Sequence, residues 1–508
     1  MSDFPWLTTL VVLPLLGAVV TGYLPSRGII ARQVGLGVAL VTLVVAVVMA
    51  TQYDVGGGYQ FAEEHEWISA FGAHYALGVD GLGLLMVLLT VVLVPIVMIA
   101  SWHETDPKAD VFFAWTLALE AFSIAVFAAT DVFLFYIVFE ATLIPAYFLI
   151  GGFGREGRTR AAVKFLIYQL AGGLVMLGSV IGLYVVSAQA GSPSYLLSDL
   201  QGLSIDPTAQ KWIFAGFFVA FAIKAPMFPV HTWLADTTEK ATTGTSVLLV
   251  CVLDKIGTFG MIRFCLGLLP DASQWATPFV VVLALISIVY GALVAIGQDD
   301  MLRLIGLTSL SHFGLIVLGI FVFTSEGGAG AILYMVNHGI ATAALFLLAG
   351  FAVRRRGTAL ISQMGGIEKV APVLAGMFLV AGLAACGLPG LSPFVSEMLV
   401  IISAFDYAWW AGAVAVTAIV LAAIYVLWMY QRAMTGPTAA DLEGFTDLDR
   451  REVGVVAPLL VALVLFGFYP QPLLDVINPS VEQTLTQVGV VHEEPTVPAA
   501  PATEGEGH

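Results

Sequence analysis

Carboxylates, amines and imidazoles stand in stretches of this sequence that are otherwise apolar. Glu140 interrupts "FLFYIVFEATLIPAYFLIGGFG"; Lys224, His231 and Asp236 share "FFVAFAIKAPMFPVHTWLAD"; Asp254 and Lys255 lie in "VLLVCVLDKIGTFGMIRF". His312 falls in "TSLSHFG", His338 in "YMVNHGIATAALF" and Glu397 in "LAACGLPGLSPFVSEMLVIISAF". Each type can hold and release a proton, imidazole near neutral pH above all. Together they could move protons through an apolar interior without any nucleophile. Taken singly, each also has a packing reading: a protonated Glu140 bonded between helices, or a histidine that ties two helices together. Glu120 has no motif around it and reads as structural.

The surroundings follow from composition. The chain has 508 residues, 59% of them hydrophobic and 11% charged, too apolar for one soluble core. Runs of about 20 apolar residues, each long enough to cross roughly 30 Å of hydrocarbon as a helix, recur from end to end. Fourteen are expected: 6–24, 29–51, 78–101, 110–128, 131–150, 160–188, 210–235, 243–268, 276–296, 301–323, 328–352, 370–404, 408–433 and 452–472. The fold class is therefore all-α and polytopic. A charge at the bilayer centre costs at least about 2.5 to 3.5 kcal/mol, so the ionisable residues are expected to face protein or water and to have a task.

Basic residues set orientation. With the N-terminus outside the cytoplasm, sixteen of the twenty Lys and Arg, from Arg27 to Arg451, fall on the inward side, and the outward side keeps only Lys211 and Arg263. Both termini are thus expected outside. The first helix lacks a basic n-region and reads as retained, not as a signal peptide. The polar, acidic segment 478–508 reads as a disordered tail. The net charge of −16 excludes nucleic acid as a partner. Cys251, Cys265 and Cys386 lack a CxxC spacing and read as buried spectators, with no metal site implied.

Two helices should be broken. Pro226 and Pro229 deprive the carbonyls of Ala222 and Ala225 of their helix partners, and Pro389 and Pro393 with two glycines divide segment 12. Interrupted helices at matching places in two halves point to an inverted repeat with its polar site at mid-membrane. The repeats would be 110–268 (helices 4–8) and 276–433 (helices 9–13). Helices 1–3 (1–109) would precede them and helix 14 (452–472) follow. Asp254 and Lys255 point about 100° apart on one helix, so one of them is expected to lead inward.

As a set, "FEATLIPAYFLIG", "KAPMFPVHTWLAD", "LDKIGTFGMIRF", "TSLSHFG", "NHGIATAALFLLAG" and "GLPGLSPFVSE", in this order over about residues 75–435, resemble the antiporter-like membrane subunits of respiratory complex I, the bacterial NADH-quinone oxidoreductase. The likeness extends to related subunits of multi-subunit Na⁺(K⁺)/H⁺ antiporters and membrane-bound hydrogenases. Sister chains of the family commonly carry lysine where this sequence has Glu397, and the end after segment 14 also departs from the longest of them. The resemblance implies a translocase subunit in the bacterial plasma membrane, beside sister antiporter-like chains, with FMN, iron–sulfur clusters and quinone in partner subunits and no cofactor in this chain. It implies that Glu140 pairs with Lys224 and that Lys255 is the central proton carrier. His312 and His338 would connect Lys255 to Glu397 near the outward exit, with His231 and Asp236 as secondary candidates. A Lys–Glu pair at about 4 Å and an effective dielectric near 20 is worth roughly 4 kcal/mol. Moving one charge against about 150 mV costs roughly 3.5 kcal/mol. Opening and closing one such pair is thus on the scale of moving one proton.

Overall fold

The computed structural model describes residues 4–24, 29–105, 108–191, 193–438, 442 and 444–490. In hydrocarbon a backbone can satisfy its own polar groups as a helix, and nearly all of the apolar runs are helical. α1 (Trp6–Tyr23) and α2 (Ile29–Ala50) pack together and against the segment after next. Between α2 and α3 (Gly81–Ala100) an antiparallel hairpin, β1 (Gln60–Ile68) and β2 (Ala73–Val79), adds the strands of this otherwise helical chain. α4 (Ala109–Ala128) is followed by α5 (Val132–Ala141) and α6 (Leu143–Gly152), which meet at Thr142. α7 (Arg158–Gln189) and the short α8 (Leu197–Leu200) lead to α9 (Pro207–Lys224) and α10 (Thr232–Lys240).

The next span runs from α11 (Thr243–Leu248) through π-helical turns at Leu249–Leu253 and Met261–Leu266, which flank α12 (Lys255–Gly260). α13 (Pro270–Ile296), α14 (Met301–Phe321) and α15 (Ser325–Arg356) are continuous. α16 (Pro372–Ala385) and α17 (Ser392–Tyr407) form another divided segment, before α18 (Trp409–Met434), α19 (Arg450–Phe468) and α20 (Gln471–Val488).

Among the described residues, 12 segments are long and apolar enough to cross a membrane. The two expected broken segments, 207–240 and 372–407, are not among them, and each is divided into two helices by its break. The first break leaves residues 225–231 outside helix. There the Ala222 carbonyl is not orphaned as expected: it accepts from Met227 N–H at 3.0 Å, one residue further on than a helix would supply. The second break turns on Gly387 (φ 68°) and Gly390 (φ 93°), left-handed positions that cost glycine little.

One expectation is corrected. Residues 478–488, assigned to a disordered tail, belong to α20, whose Ile477, Val481, Leu485 and Val488 are buried. These residues recur at helical spacing, so the stripe buries against α15 and α3 although the segment is polar on average. Residues 491–508 of that tail lie outside the described residues.

Burial sorts the helices. The spans 243–266, 301–321 and 325–356 are buried along the whole of their apolar windows, whereas 158–189 and 409–434 are 39% buried. The first three are therefore sheathed by protein on all sides, and they carry Lys255, His312 and His338.

Candidate proton path

α12 starts on Lys255, and the π turn before it makes Asp254 N–H bond the Leu249 carbonyl five residues back, at 2.9 Å. Lys255 Nζ lies 2.6 Å from His338 Nδ1, donates to the Val250 carbonyl at 3.2 Å and stands 4.4 Å from the centre of the Phe313 ring. Asp254 is buried as deeply, lies within electrostatic range of Lys224 as well as of Lys255, and its Oδ2 has no hydrogen-bond partner. Only one of these neighbours was expected to lead inward. Both do, because the helix is enclosed all round and offers a buried surface in each direction.

α12 reaches the first break closely. A Cβ on Gly257 would stand 2.4 Å from Ala225 N, and one on Gly260 would meet the Phe221 ring, so only glycines allow this approach. It sets Asp254 and Lys255 beside the end of α9, which carries Lys224.

Lys224 is fully buried at the last position of α9. Its Nζ donates to Thr142 Oγ1 at 3.2 Å and lies 4.7 Å from the Phe139 ring centre. The expected ion pair with Glu140 is not closed in this structure. Glu140 is half-buried against α7, where a Cβ on Gly173 would fall 1.8 Å from its Oε1, and that oxygen has no partner. Helix geometry explains the separation: Glu140 and Thr142 are two residues apart and project in different directions, and the ammonium here faces the hydroxyl.

Beyond Lys255 the polar groups continue. The rings of His338 and His312 are 5.1 Å apart at 77°. His312 Nε2 lies 3.0 Å from Tyr425 Oη on α18, and Tyr334 Oη on α15 donates to Glu397 Oε1 at 2.5 Å. Glu397 is buried on α17, just past the second break, and its Oε2 has no partner. Asn337 Nδ2 holds the start of α17 through the Ser392 carbonyl (2.9 Å) and Ser396 Oγ (3.1 Å).

His231 and Asp236 do not join this row. The His231 ring faces Tyr290, 5.3 Å between centres, and its Nδ1 has no partner. Asp236 is clamped by Lys164 (2.6 Å) and Arg303 (2.7 Å), and Arg303 also binds Glu239 (2.8 Å), an ion cluster that ties α10 to α7 and α14. Glu120 is buried with neither carboxylate oxygen bonded. The three cysteines are free and buried. Among the described residues no group of His, Cys, Asp and Glu is arranged to hold a metal ion.

Sequence reasoning missed Thr142, Tyr334 and Tyr425. A signal existed for one of them: Tyr334 precedes His338 by four residues, the spacing that puts two side chains on one helix face.

Two crevices open at opposite ends of α15. One, about 570 Å³, is lined by Glu104, Arg155, Lys240, Thr243, Asp300 and Arg354 among others. The other, about 270 Å³, is lined by Ser325, Glu326, Leu399, Asn478 and Glu482 among others. The Lys255 to Glu397 row lies between those ends.

The family described as "NADH:quinone oxidoreductase/Mrp antiporter, TM" matches residues 129–422. NADH-quinone oxidoreductase subunit M of Mycobacterium tuberculosis is 48% identical, over 99% of this chain and 100% of the relative. Among solved structures, a chain of respiratory complex I from Thermus thermophilus with bound NADH superposes with a TM-score of 0.87 at 32% identity, covering 95% of this chain and 100% of that one. A chain of the Mrp complex from Dietzia sp. DQ12-45-1b shares the fold, with a TM-score of 0.83 at 23% identity over 96% of this chain and 100% of that one. The match along nearly the whole chain, on a fold that encloses these buried ionisable groups, assigns it: this protein belongs to the subunit M family of NADH-quinone oxidoreductase, the antiporter-like membrane subunits of respiratory complex I.

Proposed function

We propose that this chain carries protons along Glu140, Lys224, Lys255, His338, His312 and Glu397, driven by redox chemistry in its partner subunits. The observation that carries the reading is the 2.6 Å contact of Lys255 Nζ with His338 Nδ1 inside helices whose apolar stretches are wholly buried by the rest of the chain. An amine that close to an imidazole shares one proton between two bases, and a shared proton is poised to move. The crevice at Thr243 supports an inlet: Ser246, one turn along, has a buried hydroxyl without a partner, and the Val250 carbonyl beyond it holds Lys255. The crevice at Ser325 and Leu399 supports an exit two residues from Glu397.

In this reading 207–240 and 372–407 each cross the membrane as two half-helices, the fourth members of repeats 110–268 and 276–433. Both termini lie outside the cytoplasm of a bacterial plasma membrane. FMN, iron–sulfur clusters and quinone reside in partner subunits, and sister antiporter-like chains stand alongside. The orientation is checked by a cysteine placed at 490, which a membrane-impermeant reagent should label from outside; labelling only from the cytoplasm reverses inlet and exit.

Lys255→Ala tests the path. Proton pumping by the assembled, reconstituted complex should fall roughly tenfold or more, the loss expected when a positioned proton-transfer group is removed. Normal pumping by an assembled Lys255→Ala complex removes Lys255 from the path. The Mrp-like fold keeps a Na⁺/H⁺ antiporter subunit as the alternative, and copurification separates the two: NADH-oxidising partners belong to the first reading alone.

A further inference from the structure

We propose that α3 holds a phospholipid with an anionic headgroup, its acyl chain in a valley between α2 and α19 and its phosphate among Arg32, His103 and Arg451. The site stands apart from the proton path, and the orientation given above decides only that the cytoplasmic leaflet supplies the lipid.

α2 and α19 each pack on α3 and protrude beyond it: both are 28% buried over their apolar windows, where α3 is 78% buried. Of the twenty residues of α3, only Leu88, Val92, Ile96 and Ile99 are not buried. Spaced three or four apart, they form one line down the helix. At its inner end the line passes between the flanking helices. Arg451 of α19 donates to the Ile99 carbonyl at 3.4 Å, and Arg32 of α2 stands 6.0 Å over the Trp102 ring. Trp102 and His103, three and four residues past Ile99, carry the line on to the depth of the headgroups, where tryptophan is favoured.

The dimensions select the occupant. From Leu88 to Ile99 the helix rises about 16 Å. That is close to half of the roughly 30 Å hydrocarbon core, the depth of one leaflet. The valley floor is one residue wide, whereas a helix with its side chains is about 10–12 Å across. An acyl chain fits such a line, and a helix of another subunit does not.

Charge selects the headgroup. Arg354 and Arg355 both bond Glu452, and Arg451 stands 3.9 Å from it, so three arginines share one buried carboxylate. Asp449, 3.6 Å from Arg451, and Glu104, within range of Arg354, offset part of this charge. With Arg32 included, four arginines meet three carboxylates and the surplus is positive. His103 is exposed beside them, and its imidazole is held below the ordinary histidine range by partial desolvation and then by Arg451, Arg32 and Arg354, with Asp449 opposing. A phosphate placed there accepts charge-assisted bonds from guanidinium and imidazole N–H groups and neutralises the surplus.

The test uses the whole complex in phosphatidylcholine nanodiscs doped with phosphatidylglycerol that carries a diazirine on its acyl chain. Matching discs carry the diazirine on phosphatidylcholine. After illumination, mass spectrometry measures labelling of the α3 peptide, and NADH oxidation shows that each variant is assembled. Phosphatidylglycerol should label Leu88–Ile99 several-fold more than phosphatidylcholine does. Arg32→Gln should lower labelling by phosphatidylglycerol roughly fivefold, the effect of one basic residue at an anionic surface, and leave labelling by phosphatidylcholine unchanged. His103→Glu, at an exposed position, sets a carboxylate against the phosphate and should do the same, which keeps the headgroup testable if Arg32→Gln does not assemble. Val92→Trp fills the valley and should lower labelling by both lipids. Equal labelling by the two lipids overturns the anionic site and leaves an ordinary lipid-facing surface. Absence of labelling on α3 by either shows that protein covers the valley and overturns the proposal. Undiminished labelling by phosphatidylglycerol in His103→Glu overturns the headgroup assignment.

Discussion

Lys224 rests on a hydroxyl and not on the carboxylate expected to hold it. Thr142 holds it here at 3.2 Å, and Glu140, two residues away, keeps an unbonded oxygen. Asp254 adds a third group within electrostatic reach. A carboxylate within range of two buried lysines would, when ionised, offset charge that hydrocarbon penalises. Asp254→Asn keeps the shape and removes that offset; pumping by the assembled complex should fall roughly tenfold, equivalent to about 1.4 kcal/mol of barrier. Pumping at the unsubstituted rate would leave Asp254 a spectator. Glu140, Lys224, Lys255, His312, His338 and Glu397 were legible in the sequence because a charge or an imidazole in an apolar run is costly. Thr142, Tyr334 and Tyr425 were not, because a threonine or tyrosine in such a run costs little and looks like packing. That Lys224 meets Thr142 and not Glu140 was also hidden, since spacing shows which residues can meet and not which partner an ammonium chooses.

At the level of elements, the breaks and the glycines facing them are what bring these side chains together. Prolines gave both breaks away in advance. The π turns on either side of α12 did not show, because an extra residue in a helical turn changes register without changing composition. Gly257 joins the two features. Its missing Cβ lets α12 lie against Ala225 N, and an added methyl would need about an ångström of backbone movement in a packed interior. Gly257→Ala should therefore cost roughly 1–3 kcal/mol, as overpacking does. A lower Tm of the purified complex is the readout, and an unchanged Tm together with unchanged pumping would show that the approach is looser than described. The hairpin of β1 and β2 escaped the sequence reading because β1 carries the charged residues Glu63, Glu64 and Glu66, and the end of β2 merges with the apolar run 78–101. α20 escaped because its buried stripe is diluted by polar residues.

Across the whole molecule, three enclosed spans carry Lys255, His312 and His338, two crevices open at opposite ends of α15, the α10 ion cluster joins α7 to α14, and α20 packs on α15 and α3. On the proposed reading this interior conducts protons and is not merely a set of helices glued by polar contacts. The comparison of Glu140→Gln with Glu397→Lys decides between the two, because the alternatives rank them oppositely. If the row conducts, the near-isosteric Glu140→Gln deprives Lys224 of its movable partner and pumping falls severely. Glu397→Lys keeps a protonatable group where sister chains commonly have one, and is the milder change. If the groups only pack, Glu140→Gln is nearly silent, and a longer, oppositely charged side chain beside Gly387 does the harm. The measurement is the proton-pumping rate of each variant in proteoliposomes, normalised to assembled complex. The lower rate is expected for Glu140→Gln; a Glu140→Gln complex that pumps normally would contradict proton conduction along this row.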